Sequence, residues 1–198
     1  MVLTSVDFYA RNTESVARDL LGKKLVRYVL DDSGKQIKLS GVICETEAYG
    51  SNDDPASHAF RGMTSRNSVM FGDVGKAYVY LIYGIHHCMN VTARSSNYDA
   101  GAVLIRSLIP VEGVNIMMYF SNVKQTSTLT TGPGKLTKAM NINRSHNGLS
   151  LTESESSLQI EDGIRPKKVV NTARVGISRA KEKYWRYFIA GDISMNPL

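Results

Sequence analysis

Two glutamates and a tyrosine at alternate positions form the group of residues best suited to chemistry in this chain of 198 residues. Glu45, Glu47 and Tyr49 follow directly after the apolar run VIC. Because alternate residues of a β-strand share a face, the three side chains are predicted to point the same way. Polar groups on one face of a strand that begins as core need a hydrogen-bonding partner or a function.

The two carboxylates allow three interpretations. Neighbouring carboxyl groups can divide acid and base roles, as they do in glycoside hydrolases. Residues i and i+2 of one strand point in parallel, however, and do not flank a bond from opposite sides. One glutamate acting as general base toward water, with a structural neighbour, is the more economical hypothesis. A polar edge strand that faces solvent is the third.

A cluster of tyrosines forms a second candidate site. Tyr78, Tyr80 and Ile82 alternate within KAYVYLIYGIHHCMNVTA, a pattern typical of a β-hairpin with Tyr83-Gly84 at its tip. An aromatic side chain at an exposed tip leaves apolar area in water. On a basic protein, such a side chain suits insertion into a base stack, and the other tyrosines suit a stacking platform. The alternative is that the tyrosines only fill the core.

Positive charge is concentrated near the end of the chain. The formal net charge is +6, and residues 163–187 hold eight lysines and arginines against Glu182 alone. Tyr184, Trp185 and Tyr187 are interleaved with these cations. The pattern favours a polyanionic partner such as nucleic acid, with a plain solvated surface as the equal alternative.

Other motifs argue against metals, cofactors and membranes. No zinc-type Cys/His spacing, Walker loop or G-x-G-x-x-G is present, so we expect no metal and no cofactor. TGPGKLTK either holds a phosphate on backbone N–H groups or simply begins a helix. Cys44 and Cys88 are predicted to be reduced thiols. Without a secretory pattern or an apolar run of ~20 residues, the chain is predicted to be soluble and intracellular.

The predicted elements that position these residues alternate between strands and helices. Asn12-Thr13 is a helix cap, the apolar stripe that follows has helical spacing, and Gly22 can end the helix. Further helices are predicted over EGVNIMMYF and after TGPG. The predicted strands are KLVRYVL, KLSGVICETEAYG, the two arms of the tyrosine hairpin, GAVLIRSLIPVEG and parts of 165–191.

The fold class predicted from these elements is α+β. We expect a single domain over residues 1–198, with a curved, mostly antiparallel sheet flanked by helices and a protruding β-hairpin. Residues 50–76 are predicted to form a long loop, which in a compact domain is usually functional or mobile.

Taken together, these segments resemble the alkyladenine (3-methyladenine) DNA glycosylase family, the type without a helix-hairpin-helix motif. They run in the family's order from about residue 17 to 178. The matching stretches are ARDLLGKKLVR, ETEAYG, DDPASHAFRGMTSRN, MF, KAYVYLIYGIHHCMNVT, GAVLIRSLIPVEG, TGPGKLTKAMNIN and ARVGIS.

The resemblance implies a base-flipping enzyme of base excision repair. Such enzymes hydrolyse the N-glycosidic bond of alkylated purines, 3-methyladenine and 7-methylguanine, and in many members of hypoxanthine. They use no metal or cofactor. The motif places no lysine nucleophile, so a monofunctional enzyme that leaves an abasic site is expected. The implied partner is double-stranded DNA containing damaged purines. The size of the chain and contact with a large rigid partner favour a monomer.

The resemblance also implies roles for individual residues. Glu47 falls on the general base that activates the attacking water, and Arg106 falls on its partner. Tyr49, His58 and Tyr80 fall on the walls that sandwich and hydrogen-bond the extruded base.

Further residues are implied outside these walls. Asn90 falls on the residue that clashes with the exocyclic amine of guanine, and Tyr83 falls on the side chain that fills the gap left by the flipped nucleotide. The expected contacts to the DNA backbone are Ser65, Ile85, His86 and Lys135.

Two other functions compete with the glycosylase hypothesis. One is a nucleic-acid-binding module without catalysis, which has no need of Glu47, Arg106 and Asn90 together. The other is a carbohydrate hydrolase that uses Glu45 with Glu47, for which the basic segment has no role.

Overall fold

One long strand organises the sheet. The computed structural model describes residues 3–191, and within them eight strands form a curled antiparallel sheet. The strands are β1 (Lys24–Leu30), β2 (Gln36–Tyr49), β3 (Ala77–Ile82), β4 (His86–Thr92), β5 (Ala102–Glu112), β6 (Leu158–Glu161), β7 (Val169–Thr172) and β8 (Arg186–Ile189).

Strand β2 has three neighbours. Its first half pairs with β1, its whole second half pairs with β5, and Glu45 to Glu47 also pair with β8. The order across the sheet is β3-β4-β5-β2-β1-β6, and β7 lies outside β8. Two irregularities of register flank Glu45, and bulges of this kind re-aim side chains where they interrupt a ladder.

Four short helices cover the sheet in the part of the chain that the structure describes. They are α1 (Val6–Tyr9), α2 (Thr13–Asp19), α3 (Val114–Ser121) and α4 (Pro133–Ala139). The predicted cap of α2 is confirmed, because Asn12 Oδ1 accepts hydrogen bonds from the amides of Glu14 (2.9 Å) and Ser15 (3.4 Å). The sequence patterns did not predict α1.

The predicted α+β class, the antiparallel sheet and the tyrosine hairpin are confirmed. Strands β3 and β4 pair from Ala77↔Val91 to Ile82↔His86. At the tip, Tyr83 and Gly84 both have positive φ, 52° and 73°. The segment 165–191 contributes only β7 and β8, and the residues between them are irregular.

The core lies between the helices and one face of the sheet. Leu20 of the α2 cap, Leu25 of β1, Ile43 of β2 and Ile105 of β5 are fully buried in one cluster. Helices α3 and α4 pack against each other, and α4 packs on β4 and β5. This packing fixes β2 and β5 side by side, with the polar groups of interest on the other face.

A pair of leucines on β1 tests this core. Leu25 is fully buried and Leu30 is 70% exposed. We expect Leu25→Ala to lower the free energy of unfolding by about 2–5 kcal/mol, because it leaves a cavity. Leu30→Ala should change the free energy of unfolding by about 0.5 kcal/mol or less, since the side chain of Leu30 is exposed. Urea unfolding followed by circular dichroism measures both; equal losses would contradict the placement of β1.

Candidate active site

A fully buried carboxylate lies at the centre of the site. Glu47 has 0% exposure and accepts three hydrogen bonds. Tyr49 Oη donates to Oε2 at 2.8 Å, Arg106 Nη1 donates to the same oxygen at 3.2 Å, and the amide of Val175 donates to Oε1 at 2.7 Å. Donors of this number and kind, one of them charged, satisfy both oxygens of the buried carboxylate.

Glu45 lies beside Glu47, as the strand alternation predicted, but it has different partners. Its Oε1 accepts from Arg106 Nε at 2.9 Å and from Arg186 Nε at 2.6 Å. Its Oε2 accepts from Ser107 Oγ at 2.9 Å. Burial opposes ionisation, but the hydrogen bond from Arg186 and the charge of Arg106 lower the pKa of Glu45.

Arg106 is therefore shared between two glutamates. Strand β5 places it opposite the second half of β2, so the guanidinium bridges Glu45 and Glu47. Burial disfavours its charge, but Glu47 and Glu45 outweigh this and raise the pKa of Arg106. Because Glu45 is fully engaged, it does not serve as the second acid of a glycoside-hydrolase pair.

A cavity of about 310 Å³ opens beside Arg106. The structure brings most of the predicted site residues together in its lining: Tyr49, His58, Tyr80, Tyr83, Asn90 and Arg106. Tyr78, Cys88, Leu104, Pro133, Val175 and other residues complete the lining. A cavity lined by aromatic rings with a few convergent polar groups is typical of a ligand site.

Three rings form one wall of the cavity. The rings of His58 and Tyr80 meet edge-on with centroids 4.7 Å apart, and Tyr78 lies 5.2 Å from Tyr80. His58 Nδ1 and Tyr78 Oη are hydrogen-bonded at 2.9 Å. Burial raises the pKa of Tyr78 to about 12 and lowers that of His58. Both rings are therefore neutral at neutral pH.

Asn90 lies buried on β4 at 3% exposure. Its Nδ2 donates to the carbonyl of Tyr78 at 3.0 Å across the hairpin. This bond fixes the amide of Asn90 at the cavity surface.

The tip of the hairpin projects into solvent at the mouth of the cavity. Tyr83 is 87% exposed and Ile85 is 73% exposed. Their exposure leaves an apolar tip on an otherwise polar surface. The structure therefore places Tyr83 where the sequence predicted it.

None of the four predicted contacts to the DNA backbone lines the cavity. Ser65, Ile85, His86 and Lys135 are all exposed. His86 packs on Gly134, in the first turn of α4. TGPGKLTK begins α4, and the amide of Gly132 donates to Ser107 Oγ at 3.1 Å.

Sequence reasoning missed a buried ion pair under the site. Arg174 donates to both carboxylate oxygens of Asp54, at 2.6 and 2.7 Å, and to the carbonyl of Ala48 at 2.9 Å. Its guanidinium lies 4.7 Å from the centroid of Tyr49. The pair holds the chain so that the next amide, that of Val175, reaches Glu47. The motif ARVGIS contains Arg174 and Val175, but nothing in its sequence indicates that Arg174 is buried.

The basic segment is thus not a uniform surface. Arg174 and Arg186, two of its eight cations, pair with Asp54 and Glu45. A third cation of the segment, Lys183, pairs with Asp53 at 3.3 Å on the surface.

Residues 3–191 contain no cluster of three or more metal-ligating side chains. Within that same range, no helix is long and apolar enough to cross a membrane.

Known proteins resemble this chain over nearly its whole length. A family model described as Methylpurine-DNA glycosylase (MPG) matches residues 7–193. A relative from Methanocella arvoryzae is 45% identical over 186 residues, which is 92% of this chain and 90% of the relative. A relative from Alkaliphilus oremlandii is 43% identical over 194 residues, which is 92% of this chain and 93% of the relative. One from Chlorobium phaeobacteroides is 40% identical over 184 residues, 93% and 90%.

The names of all three relatives assign them to the 3-methyladenine DNA glycosylases. The predicted enzyme class, a monofunctional DNA glycosylase that hydrolyses N-glycosyl bonds, is confirmed. The chain belongs to the methylpurine-DNA glycosylase family.

The buried ion pair yields a prediction on stability. We expect Asp54→Asn to lower the free energy of unfolding by about 3–5 kcal/mol, because it leaves the charge of Arg174 buried and unpaired. Asp53→Asn is the matched control, since its ion pair with Lys183 (3.3 Å) is exposed and worth about 0–1 kcal/mol. Chemical denaturation at neutral pH measures both.

The same pair contributes to the pH dependence of stability. Burial raises the pKa of Asp54. The hydrogen bonds and charge of Arg174, together with two backbone amides, lower it by more than burial raises it, so the net shift is downward. The pair therefore stabilises the fold above about pH 4, the ordinary range of aspartate, and the stabilisation is lost as pH falls. In Asp54→Asn, the free energy of unfolding should fall less steeply below that pH than in the wild type. An equally steep fall would show that Asp54 does not contribute to the acid sensitivity of the fold.

Proposed function

We propose that this enzyme excises alkylated purines, 3-methyladenine and 7-methylguanine, and also hypoxanthine, from double-stranded DNA. The damaged nucleotide leaves the base stack and its base enters the cavity. Water then replaces the base at the anomeric carbon, and an abasic site remains. One domain, acting as a monomer, is sufficient for this reaction.

One observation supports the proposal most strongly. The carboxylate of Glu47 does not itself line the aromatic cavity, but its three hydrogen-bond donors, Tyr49, Arg106 and Val175, do. The exposed Tyr83 belongs to the same lining. A nucleic-acid-binding module has no need of a carboxylate in such a position. A carbohydrate hydrolase needs a second free acid, and Glu45 is bound by two arginines and a serine.

In the proposed mechanism, Glu47 is the general base. The oxygen of water bonds to the anomeric carbon, a proton of that water passes to Glu47, and the electron pair of the N-glycosidic bond leaves with the purine. Arg106 holds the carboxylate in its ionised, oriented form. A positioned general base contributes about 10²–10⁴-fold to the rate.

The cavity walls and the hairpin divide the work of base flipping. Extrusion of a base costs a few kcal/mol. Tyr49, His58 and Tyr80 offset this cost by stacking on the base, and Tyr83 offsets it by filling the gap in the duplex. Asn90 disfavours guanine by a clash with its exocyclic amine. Because 7-methylguanine keeps that amine, its excision depends on its cationic, more labile N-glycosidic bond, which undamaged guanine lacks. Ser65, Ile85, His86 and Lys135 contact the backbone around the lesion.

The role of Glu47 is tested by Glu47→Gln. We expect the single-turnover rate of excision from a duplex with one hypoxanthine, or from methylated DNA, to fall by about 10²–10⁴-fold, since the amide cannot accept the proton of water. Strand breaks are scored only after hot alkali. Binding to an abasic-site duplex should be retained, and Glu153→Gln, on the exposed surface, should leave the rate unchanged. Turnover retained by Glu47→Gln would exclude it as the base.

The role of Tyr83 is tested by Tyr83→Ala. We expect binding to an abasic-site duplex to weaken by about 1–3 kcal/mol, the value of one stacking contact. Tyr119→Ala is the matched control, because Tyr119 is 78% exposed on α3 and outside the cavity. Fluorescence anisotropy at a fixed salt concentration measures both, and equal affinities would show that Tyr83 does not enter the duplex.

A further inference from the structure

Two tyrosines that line the cavity each have a guanidinium over the ring. Arg174 lies 4.7 Å from the centroid of Tyr49, and Arg66 lies 5.2 Å from the centroid of Tyr80. Neither arginine lines the cavity itself. A base stacked on either tyrosine would therefore lie close to a positive charge that it does not touch.

The two arginines differ in their counter-charges. Arg174 is neutralised by the buried carboxylate of Asp54. Arg66 is exposed and donates to the carbonyl of Leu81 at 3.3 Å, and no carboxylate of residues 3–191 lies within ion-pair distance of it. Of the two guanidinium groups, the one without a paired carboxylate is thus that of Arg66, which lies behind the ring of Tyr80.

The charge of Arg66 reaches the other rings of that wall. After burial, it is the second cause that lowers the pKa of His58. It also opposes the burial-driven rise in the pKa of Tyr78. His58, Tyr78 and Tyr80 all line the cavity, and the guanidinium of Arg66 lies 5.2 Å from the ring centroid of Tyr80. This charge therefore contributes a positive potential on that side of the base site.

Such a potential acts differently on two kinds of leaving base, given the proposed function on which this inference rests. When the N-glycosidic bond breaks, its electron pair moves onto the purine. A cationic 7-methylguanine becomes neutral, whereas a neutral hypoxanthine becomes an anion until it takes a proton from solvent. Relative to free enzyme and DNA, positive potential stabilises the transition state for the second base and leaves the first nearly unaffected.

We infer that Arg66 is a specificity-determining residue that assists the departure of neutral purines. It acts through space on the negative charge that develops on the base, without contact with the sugar or with Glu47. A neutral leaving group needs this help, and a cationic one does not.

The experiment compares excision efficiencies of the whole enzyme. Single-turnover rates at subsaturating enzyme are measured on duplexes that contain one hypoxanthine or one 7-methylguanine. We expect Arg66→Gln to lower the efficiency on hypoxanthine by about three- to tenfold, the effect of a nearby unit charge after screening by solvent. The efficiency on 7-methylguanine should change by about twofold or less.

Two variants serve as controls. Arg61→Gln removes a positive charge from the same exposed loop and should leave the ratio of the two efficiencies at the wild-type value. Arg66→Lys keeps the charge and should retain most of the hypoxanthine activity. Equal losses on both substrates would overturn the inference and make Arg66 a phosphate contact. No loss on either substrate would overturn it too.

A DNA-free measurement separates the inference from the proposed function. The ring resonances of His58, followed by NMR as pH varies, should report a higher pKa in Arg66→Gln and an unchanged one in Arg61→Gln. An unchanged value in Arg66→Gln would show that the charge does not reach the cavity. A wild type that excises neither base would refute the proposed function, and this inference with it; an active wild type with an unaltered ratio refutes the inference alone.

Discussion

The buried, hydrogen-bonded carboxylate of Glu47 is the constraint on which the site depends. A carboxylate with no exposure to water retains its charge only where hydrogen-bond donors replace the lost hydration. Here the donors are Tyr49 on the same strand, Arg106 on the neighbouring strand and the amide of Val175, 128 residues away. Two of these donors are held in turn: Arg106 by Glu45, and Val175 by the buried pair of Arg174 with Asp54. One side chain, that of Glu47, thus couples the sheet to the loop after β2 and to the segment that contains Arg174 and Val175.

Local patterns in the sequence were sufficient for part of this arrangement. Alternation along β2 placed Glu45, Glu47 and Tyr49 on one face, because the period of a strand is two residues. The pair Tyr83-Gly84 indicated the hairpin tip, and Asn12 indicated the start of α2, because turns and caps depend on a few adjacent residues. The residues themselves suggested a general-base glutamate and a tyrosine that enters a base stack. The assignment of each role to one residue came from the family resemblance, and all of these roles stay predictions.

The rest depends on contacts between distant segments. Arg174 and Arg186 lie in a run of basic residues that is equally typical of a solvated surface, yet the fold uses them as counter-charges for Asp54 and Glu45. No spacing rule connects residues 120 or 141 positions apart. Tyr78 was seen in the hairpin, but its hydrogen bond to His58 arises from the path of the loop 50–76. Helix α1, only four residues long, is too short for a periodic signal.

The left-handed backbone conformation at Tyr83 lowers the stability of the fold at a position that is proposed to be needed for DNA repair. A tyrosine at φ 52° occupies a left-handed conformation that costs a residue with a Cβ roughly 1–2 kcal/mol, and its ring is left in water. Glycine or asparagine at this position would relieve the strain. Laboratory evolution toward heat resistance alone would therefore tend to replace this tyrosine, and the variants obtained would fold better while lacking the side chain proposed to enter DNA. Engineering a more robust enzyme has to leave this turn strained and seek its gains elsewhere in the fold.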